Sequence, residues 1–178
     1  MKSTKNLVLS AVFLAIALLL PLLTGQIPAI GNMLLPMHIP VLLCGFFCGW
    51  QYGLAVGAVA PLLRSALVGM PPMFPIAVAM AFELAAYGLM TGLLYRCFPK
   101  KIGCVYAVLL ISMVAGRVVW GAVSFVLYGF GDTAFSWEIF MGGAFLKALP
   151  GIALQLILIP ILVMALEKNN GKETTLSA

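Results

Sequence analysis

The segment Pro61–Glu83, PLLRSALVGMPPMFPIAVAMAFE, carries the features around which the fold is predicted. Arg64 and Glu83 have opposite charges inside apolar runs, and the sequence Gly-Met-Pro-Pro at 69–72 separates these runs. Proline fixes φ near −65° and removes a backbone donor, whereas glycine supplies a tight turn. The segment therefore predicts two helices joined by a stiff turn, with one intramembrane charge on each side.

Composition indicates that the whole chain lies in a membrane. The chain has 178 residues, 63% of them hydrophobic and 8% charged, and its mean hydropathy is +1.15. Soluble domains carry roughly 25% charged residues, so a soluble fold of this length could not bury so much apolar surface. The net charge of +5 does not indicate a nucleic-acid partner, because the basic residues lie at the ends of hydrophobic runs.

Six apolar segments are long enough, or nearly so, to cross a bilayer, which requires about 20 residues. We predict a single all-α integral membrane domain over 1–178, with an uncleaved first span rather than a signal peptide. The second segment is short for a full span, and Gln51 and Tyr52 are interpreted as the break after it. The predicted transmembrane helices are 7–23, 38–50, 53–68, 75–95, 103–128 and 138–166, followed by a polar cytoplasmic tail at 168–178.

Lysine and arginine residues predict the topology. With six spans, every basic residue outside the apolar segments falls on one side, whereas an odd number of spans would break this asymmetry. We therefore expect a multi-pass protein of a prokaryotic plasma membrane with both termini in the cytoplasm. The basic residues on that side are Lys2, Lys5, Arg96, Lys100, Lys101, Lys168 and Lys172.

Four charged residues lie within predicted spans: Arg64, Glu83, Arg117 and Lys147. Charges at such depth cost several kcal/mol unless they are paired or hydrated, so they indicate a functional site. At about 1.5 Å of helical rise per residue, they lie about 6, 12, 16 and 13 Å below the outer helix ends. All four therefore fall in the outer half of the membrane or near its midplane.

The excess of cations over anions favours a particular class of ligand. Glu83 can neutralise one of the three cations, which leaves up to two for an anionic group or a strongly hydrogen-bonding ring. The alternatives are a structural network of salt bridges between helices and, for Lys147, a side chain that extends outward to the membrane surface.

Polar and aromatic neighbours extend the candidate site. Tyr87 follows Glu83 by four residues and Trp120 follows Arg117 by three, so each shares a helix face with a charge. Aromatic walls with a few convergent polar groups are typical of small-molecule pockets. His38 is either a ligand contact or a helix cap at the membrane interface. The candidate substrate-binding residues are Asn32, His38, Arg64, Glu83, Tyr87, Arg117, Trp120 and Lys147.

The sequence contains no catalytic or metal-binding pattern. The single histidine has no nearby nucleophile in the sequence, and Glu83 has no second intramembrane carboxylate. The phosphate-binding pattern GxxxxGK[ST] is absent, so we expect no ATP coupling by the chain itself. The four cysteines lack zinc-ligand spacing and are interpreted as small apolar residues. We expect neither an enzyme nor a bound cofactor or metal.

The chain resembles the substrate-binding S component of energy-coupling factor (ECF) vitamin transporters. The segment 37–75, MHIPVLLCGFFCGWQYGLAVGAVAPLLRSALVGMPPMFP, is similar to that superfamily in its short second helix, its glycine-rich turn and its third helix. Ala11 and Ala15 match the AxxxA motif of the family's first helix. The resemblance covers nearly the whole chain and implies the six-helix S-component bundle.

The resemblance also implies a mechanism. Such a subunit captures a vitamin or vitamin precursor outside the cell, then topples while docked on a T protein and two ATPase subunits, which use the ATP. The AxxxA motif docks on the T protein. Within the superfamily, the charged pocket and the Gly-Met-Pro-Pro turn most resemble the branch that includes transporters for pantothenate and for pyridoxine or hydroxymethylpyrimidine, which implies a substrate of one of these classes. The main alternative is a small membrane scaffold protein in which the charges are structural, and a membrane enzyme is third.

Overall fold

The computed structural model describes residues 2–23, 35–129 and 148–176. Within these ranges the chain is all-α and contains no strand. Five helices are long and apolar enough to cross a membrane, and α2 is a shorter apolar helix of 11 residues. This confirms the prediction of an all-α membrane protein with six helices. The helices are α1 (Lys2–Leu23), α2 (His38–Cys48), α3 (Trp50–Val68), α4 (Val78–Cys97), α5 (Ile102–Gly129) and α6 (Leu149–Leu176).

The break between α2 and α3 lies at Gly49 and not at the predicted Gln51 and Tyr52. Gly49 has φ 91° and ψ 174°, a conformation that glycine adopts without steric cost. Gln51 and Tyr52 instead occupy the first turn of α3, where polar residues are tolerated because the first N–H groups of a helix lack intrahelical partners. The polarity of these two residues was therefore a misleading indicator of the break.

The turn between α3 and α4 begins at the predicted glycine. Gly69 has φ 72° and ends α3 in the left-handed conformation, with its N–H donating to the carbonyl oxygen of Ser65 at 2.9 Å. An irregular π-type turn, Met73–Ala77, follows the two prolines, and Phe74 within it is extended. The regular helix α4 therefore begins at Val78, three residues after the predicted start at position 75.

Helix α6 continues beyond the apolar segment. It runs to Leu176, so the segment 168–178, predicted to be a polar tail, is helical over most of its length. Pro160 lies inside this helix, and no later proline removes a further backbone donor from it. The predicted start of the sixth span, 138–147, lies outside the described residues.

Glycines allow the central helices to approach closely. A Cβ atom on Gly88 of α4 would overlap the backbone of Gly53 on α3, and one on Gly57 would overlap the carbonyl group of Leu84. A Cβ on Gly45 of α2 would also lie within 2.8 Å of the carbonyl oxygen of Gly88. Small residues at such spacing bring helices together in lipid. These glycine contacts fix the rotation of α4 about its axis, and α4 carries the carboxylate of Glu83.

Several helix ends meet at one end of the bundle. Asn6 Nδ2 of α1 donates to the carbonyl oxygen of Cys48 at the end of α2, at 3.3 Å. Lys100, in the α4–α5 connection, forms a salt bridge of 2.7 Å with Glu167 of α6. This arrangement agrees with the six-span topology, in which these ends share one side of the membrane. The assignment of that side to the cytoplasm is a prediction from the distribution of lysine and arginine.

Candidate functional site

Three charged or titratable side chains from three helices meet inside the bundle. Arg117 Nη1 of α5 lies 3.0 Å from Glu83 Oε1 of α4, and His38 Nε2 of α2 lies 3.6 Å from the same oxygen. All three side chains are buried, and Glu83 is 2% exposed. Together with Tyr87, they form what we call the polar cluster. A buried ion pair is expensive to desolvate and is weak evidence of a stabilising role, so its presence here calls for another explanation.

The short length of α2 places His38 in this cluster. An 11-residue helix is about 16 Å long, roughly half the thickness of the hydrocarbon core. Because α2 ends at Cys48 near one end of the bundle, its first residue lies at half depth. His38 is 1% exposed, so it is inside the protein and not a helix cap at the membrane interface.

Tyr87 forms an aromatic wall of the polar cluster. Its ring makes an edge-on contact with the His38 ring, with centroids 5.2 Å apart and an interplanar angle of 67°. The ring also packs against Gly116 of α5, where an added Cβ would lie only 2.9 Å from two ring carbons. Thr91 Oγ1 donates to the carbonyl oxygen of Tyr87 at 2.6 Å, one turn along α4. Tyr87 is therefore held from both sides.

The polar cluster has unused hydrogen-bonding capacity. Arg117 Nε and Nη2 and both ring nitrogens of His38 are buried and have no hydrogen-bond partner among the described residues. The same holds for Ser112 Oγ, Ser124 Oγ and the side-chain amide of Gln155. Each unsatisfied buried group costs about 1–3 kcal/mol, so proteins rarely keep several without a function. The unsatisfied donors of Arg117 and His38 lie beside the buried carboxylate of Glu83, where they can bind a small polar solute.

The remaining predicted substrate contacts fall in three different places. Arg64 is buried on α3, and its Nη1 donates to the carbonyl oxygen of Leu18 on α1 at 3.0 Å. Trp120 is half-buried one turn beyond Arg117 on α5. Asn32 and Lys147 lie outside the described residues. Of the predicted set, the structure thus brings together His38, Glu83, Tyr87 and Arg117.

Comparison with known protein families identifies one family that matches most of the chain. The family described as ECF transporter, substrate-specific component, matches residues 5–163 of the chain. The chain belongs to this family. No curated protein sequence and no solved structure gives a significant match. Family membership confirms the resemblance seen in the sequence and makes the chain a substrate-specific membrane subunit of an ECF transporter.

The AxxxA motif of this S component lies on an open surface. Ala11 and Ala15 are exposed on one face of α1, together with large apolar residues such as Val8 and Leu19. The adjacent residues Phe13 and Ala17 are buried and face the bundle. Among the described residues, the bundle therefore leaves both alanines exposed to an approaching helix.

Sequence reasoning missed one residue that shapes the polar cluster. Gly116 gives the Tyr87 ring its space, and its position directly before the intramembrane Arg117 was the available signal.

Proposed function

We propose that this S component binds a water-soluble vitamin or vitamin precursor at the polar cluster and carries it into the cell. The observation that supports this proposal is the pair Glu83–Arg117, buried at half depth beside His38 in a subunit of an ECF transporter. The solute would enter from outside the cell. It would leave on the cytoplasmic side when the subunit topples on the T protein, with ATP used by two ATPase subunits.

The chemistry of the polar cluster narrows the ligand class. Arg117 offers two further donor atoms, and His38 offers one donor and one acceptor when neutral. Tyr87 supplies a flat apolar wall beside them. Because Glu83 already pairs with Arg117, the pair is neutral as a whole. This balance favours a pyridoxine-like or hydroxymethylpyrimidine-like ring over a pantothenate-like carboxylate.

Two variants test the role of the charge pair. Glu83→Gln leaves Arg117 buried without its charged partner, which costs about 3–5 kcal/mol of stability, and replaces one carboxylate acceptor oxygen of the polar cluster by an amide donor. The double variant Glu83→Gln/Arg117→Gln removes both charges, so we expect it to regain most of that stability while failing to bind. The ligand carried through purification is first identified by mass spectrometry, and its affinity for each variant is then measured by calorimetry in detergent.

Glu167→Gln is the matched control, because it makes the same change at the carboxylate that pairs with Lys100 at the end of the bundle. We expect its vitamin affinity to equal that of the unmodified protein. If the double variant folds and binds the vitamin with unchanged affinity, the polar cluster is not the binding site and its charges are structural.

A further inference from the structure

Helix α6 carries a buried side-chain amide, that of Gln155, which takes part in none of the contacts within the polar cluster. The residue is fully buried, and neither Nε2 nor Oε1 has a hydrogen-bond partner among the described residues. A primary amide has two donor hydrogens and one acceptor oxygen, and leaving all of them unpaired away from water is costly. A bound solute would satisfy this amide.

Gln155 lies at the same depth in the bundle as Glu83. At one end of the bundle the Glu167 carboxylate of α6 lies against the Tyr95 hydroxyl of α4, so the two helices share a level there. Successive spans alternate in direction, and α4 and α6 therefore run the same way. Gln155 precedes Glu167 by 12 residues, and Glu83 precedes Tyr95 by 12 residues. At about 1.5 Å of rise per residue, both lie about 18 Å from that end.

The amide is on the face of α6 that points into the bundle. Ile159 and Val163, which follow Gln155 at intervals of four, are buried in the hydrophobic core, whereas Leu154 and Ile157 are exposed. Helix α6 packs against α2 and α5, the two helices that supply the histidine and the arginine of the polar cluster. Depth and face together place the amide beside the polar cluster. Because no hydrogen bond joins it to the described residues there, a ligand can lie between them.

The chemistry of a primary amide limits what it can recognise. Its donor and its acceptor lie side by side in one plane, so it pairs with a ligand edge that carries an acceptor next to a donor. Asparagine and glutamine bind adenine in this way, through an amino group beside a ring nitrogen. A carboxylate offers acceptors only and would repel the amide oxygen. The ring nitrogen of pyridoxine has no amino or hydroxyl group on an adjacent carbon.

We infer that Gln155 is a specificity-determining residue that binds the edge of an aminopyrimidine, with Oε1 accepting from the amino group and Nε2 donating to the adjacent ring nitrogen. Arg117 and His38 then bind the other substituents of the ring, and Tyr87 packs against its face. Of the ring classes that the polar cluster favours, this selects the hydroxymethylpyrimidine type over the pyridoxine type. The inference rests on the proposed function, because it assigns the substrate of that same site.

Calorimetric titration in detergent with two probes tests this assignment. The first is hydroxymethylpyrimidine, which carries an amino group next to a ring nitrogen, and the second is the same molecule with hydrogen in place of the amino group. We expect the unmodified protein to bind the first at least about tenfold more tightly, since a bidentate amide pair discriminates by about that much or more. Gln155→Met, which keeps an unbranched side chain but removes both polar atoms, should abolish this preference. Its unfolding temperature without ligand should be unchanged or higher, because a buried unpaired amide is removed.

Gln51→Met is the matched control, because it makes the same change at an exposed amide in the first turn of α3. We expect both probes to bind this control as they bind the unmodified protein. The inference is overturned if the unmodified protein binds neither probe or does not distinguish them. It is also overturned if Gln155→Met keeps the preference, and a lower unfolding temperature of that variant would then give the amide a structural role. The proposed function survives each of these results as long as Glu83→Gln/Arg117→Gln fails to bind the co-purified vitamin.

Discussion

Individual charged residues in this bundle are accommodated in two ways. Glu83 and Arg117 pair with each other at 3.0 Å across two helices, which leaves further donors of Arg117 available for a ligand. Arg64 instead donates to a backbone carbonyl of α1. It lies seven residues, or about 10 Å, farther along α3 than Gly57, which packs beside Leu84 at the level of the polar cluster. The two arginines therefore have different surroundings despite similar sequence contexts.

The same substitution at both arginines separates these roles. Arg117→Lys keeps the charge but loses the planar fork that can bind Glu83 and a ligand together, so we expect vitamin affinity to fall at least about tenfold. Arg64→Lys should change it by less than about threefold, because a lysine can still donate to a single carbonyl. Calorimetric titration of both variants with the co-purified vitamin measures the difference.

An equal loss of affinity in the two variants would contradict this assignment. Arg64 would then be a substrate contact, as its place among the predicted substrate-binding residues implies.

Among the elements, α4 is the one that positions the site. It carries Glu83 and Tyr87, and its glycines bring it into backbone contact with α2 and α3. Helix α2 then delivers His38 to the same depth because it is only 11 residues long. The sequence predicted that the second helix is short. The position of His38 beside Glu83 follows only from the structure, which shows where the other end of α2 packs.

Glycine packing can be tested by adding one methyl group. Gly88→Ala places a Cβ against the backbone of Gly53, which cannot move without separating α3 from α4. We expect a loss of about 1–3 kcal/mol, typical of overpacking, together with weaker vitamin binding because Glu83 shifts with α4. Thermal denaturation in detergent measures the stability.

Gly103→Ala is the control for this experiment. Nothing lies within 4 Å of a Cβ at Gly103 in α5, so the change should be neutral or stabilise the helix by up to about 1 kcal/mol. Comparable destabilisation by both substitutions would show that flexibility, and not close packing, is what these glycines provide.

At the scale of the whole molecule, an S component must bind its solute and also engage partners. The polar cluster is buried, whereas Ala11 and Ala15 lie on an exposed face of α1. This separation predicts that binding and transport can be impaired independently. It also distinguishes a transporter subunit from a scaffold, which would have no reason to co-purify with a T protein and two ATPase subunits.

A bulky residue in the AxxxA motif tests the docking face. Ala11→Trp and Ala15→Trp should abolish vitamin uptake by cells and co-purification of the T protein, because the indole ring blocks close helix approach. Vitamin affinity of the isolated subunit should be unchanged. Val114→Trp is the control, since Val114 is 63% exposed on α5 and we expect only lipid contacts there. Normal uptake in both alanine variants would reject the motif as the docking site.

Local properties of the sequence determined the number of helices and the placement of their ends. The number of helices follows from comparing the length of each apolar run with the thickness of a bilayer. The helix ends follow from the lysine and arginine residues that flank these runs, so neither prediction requires tertiary contacts. The error at the second break was of the same local kind, because polarity at Gln51 and Tyr52 was taken as the break that Gly49 makes. The sixth apolar segment ends where it was predicted, at about position 166, although the helix itself continues to Leu176.

The tertiary structure alone decided which residues form the site. His38 and Glu83 are 45 residues apart, and their meeting depends on the length of α2 and on the rotation of α4. Arg64 and Arg117 both lie within apolar runs of the sequence, yet one faces α1 and the other faces Glu83. Helical periodicity shows which residues share a face, but glycine contacts between helices set the direction in which that face points. The packing of the helix backbones therefore determines which of the intramembrane charges lie in the polar cluster, and the positions of the charges in the sequence do not reveal this packing.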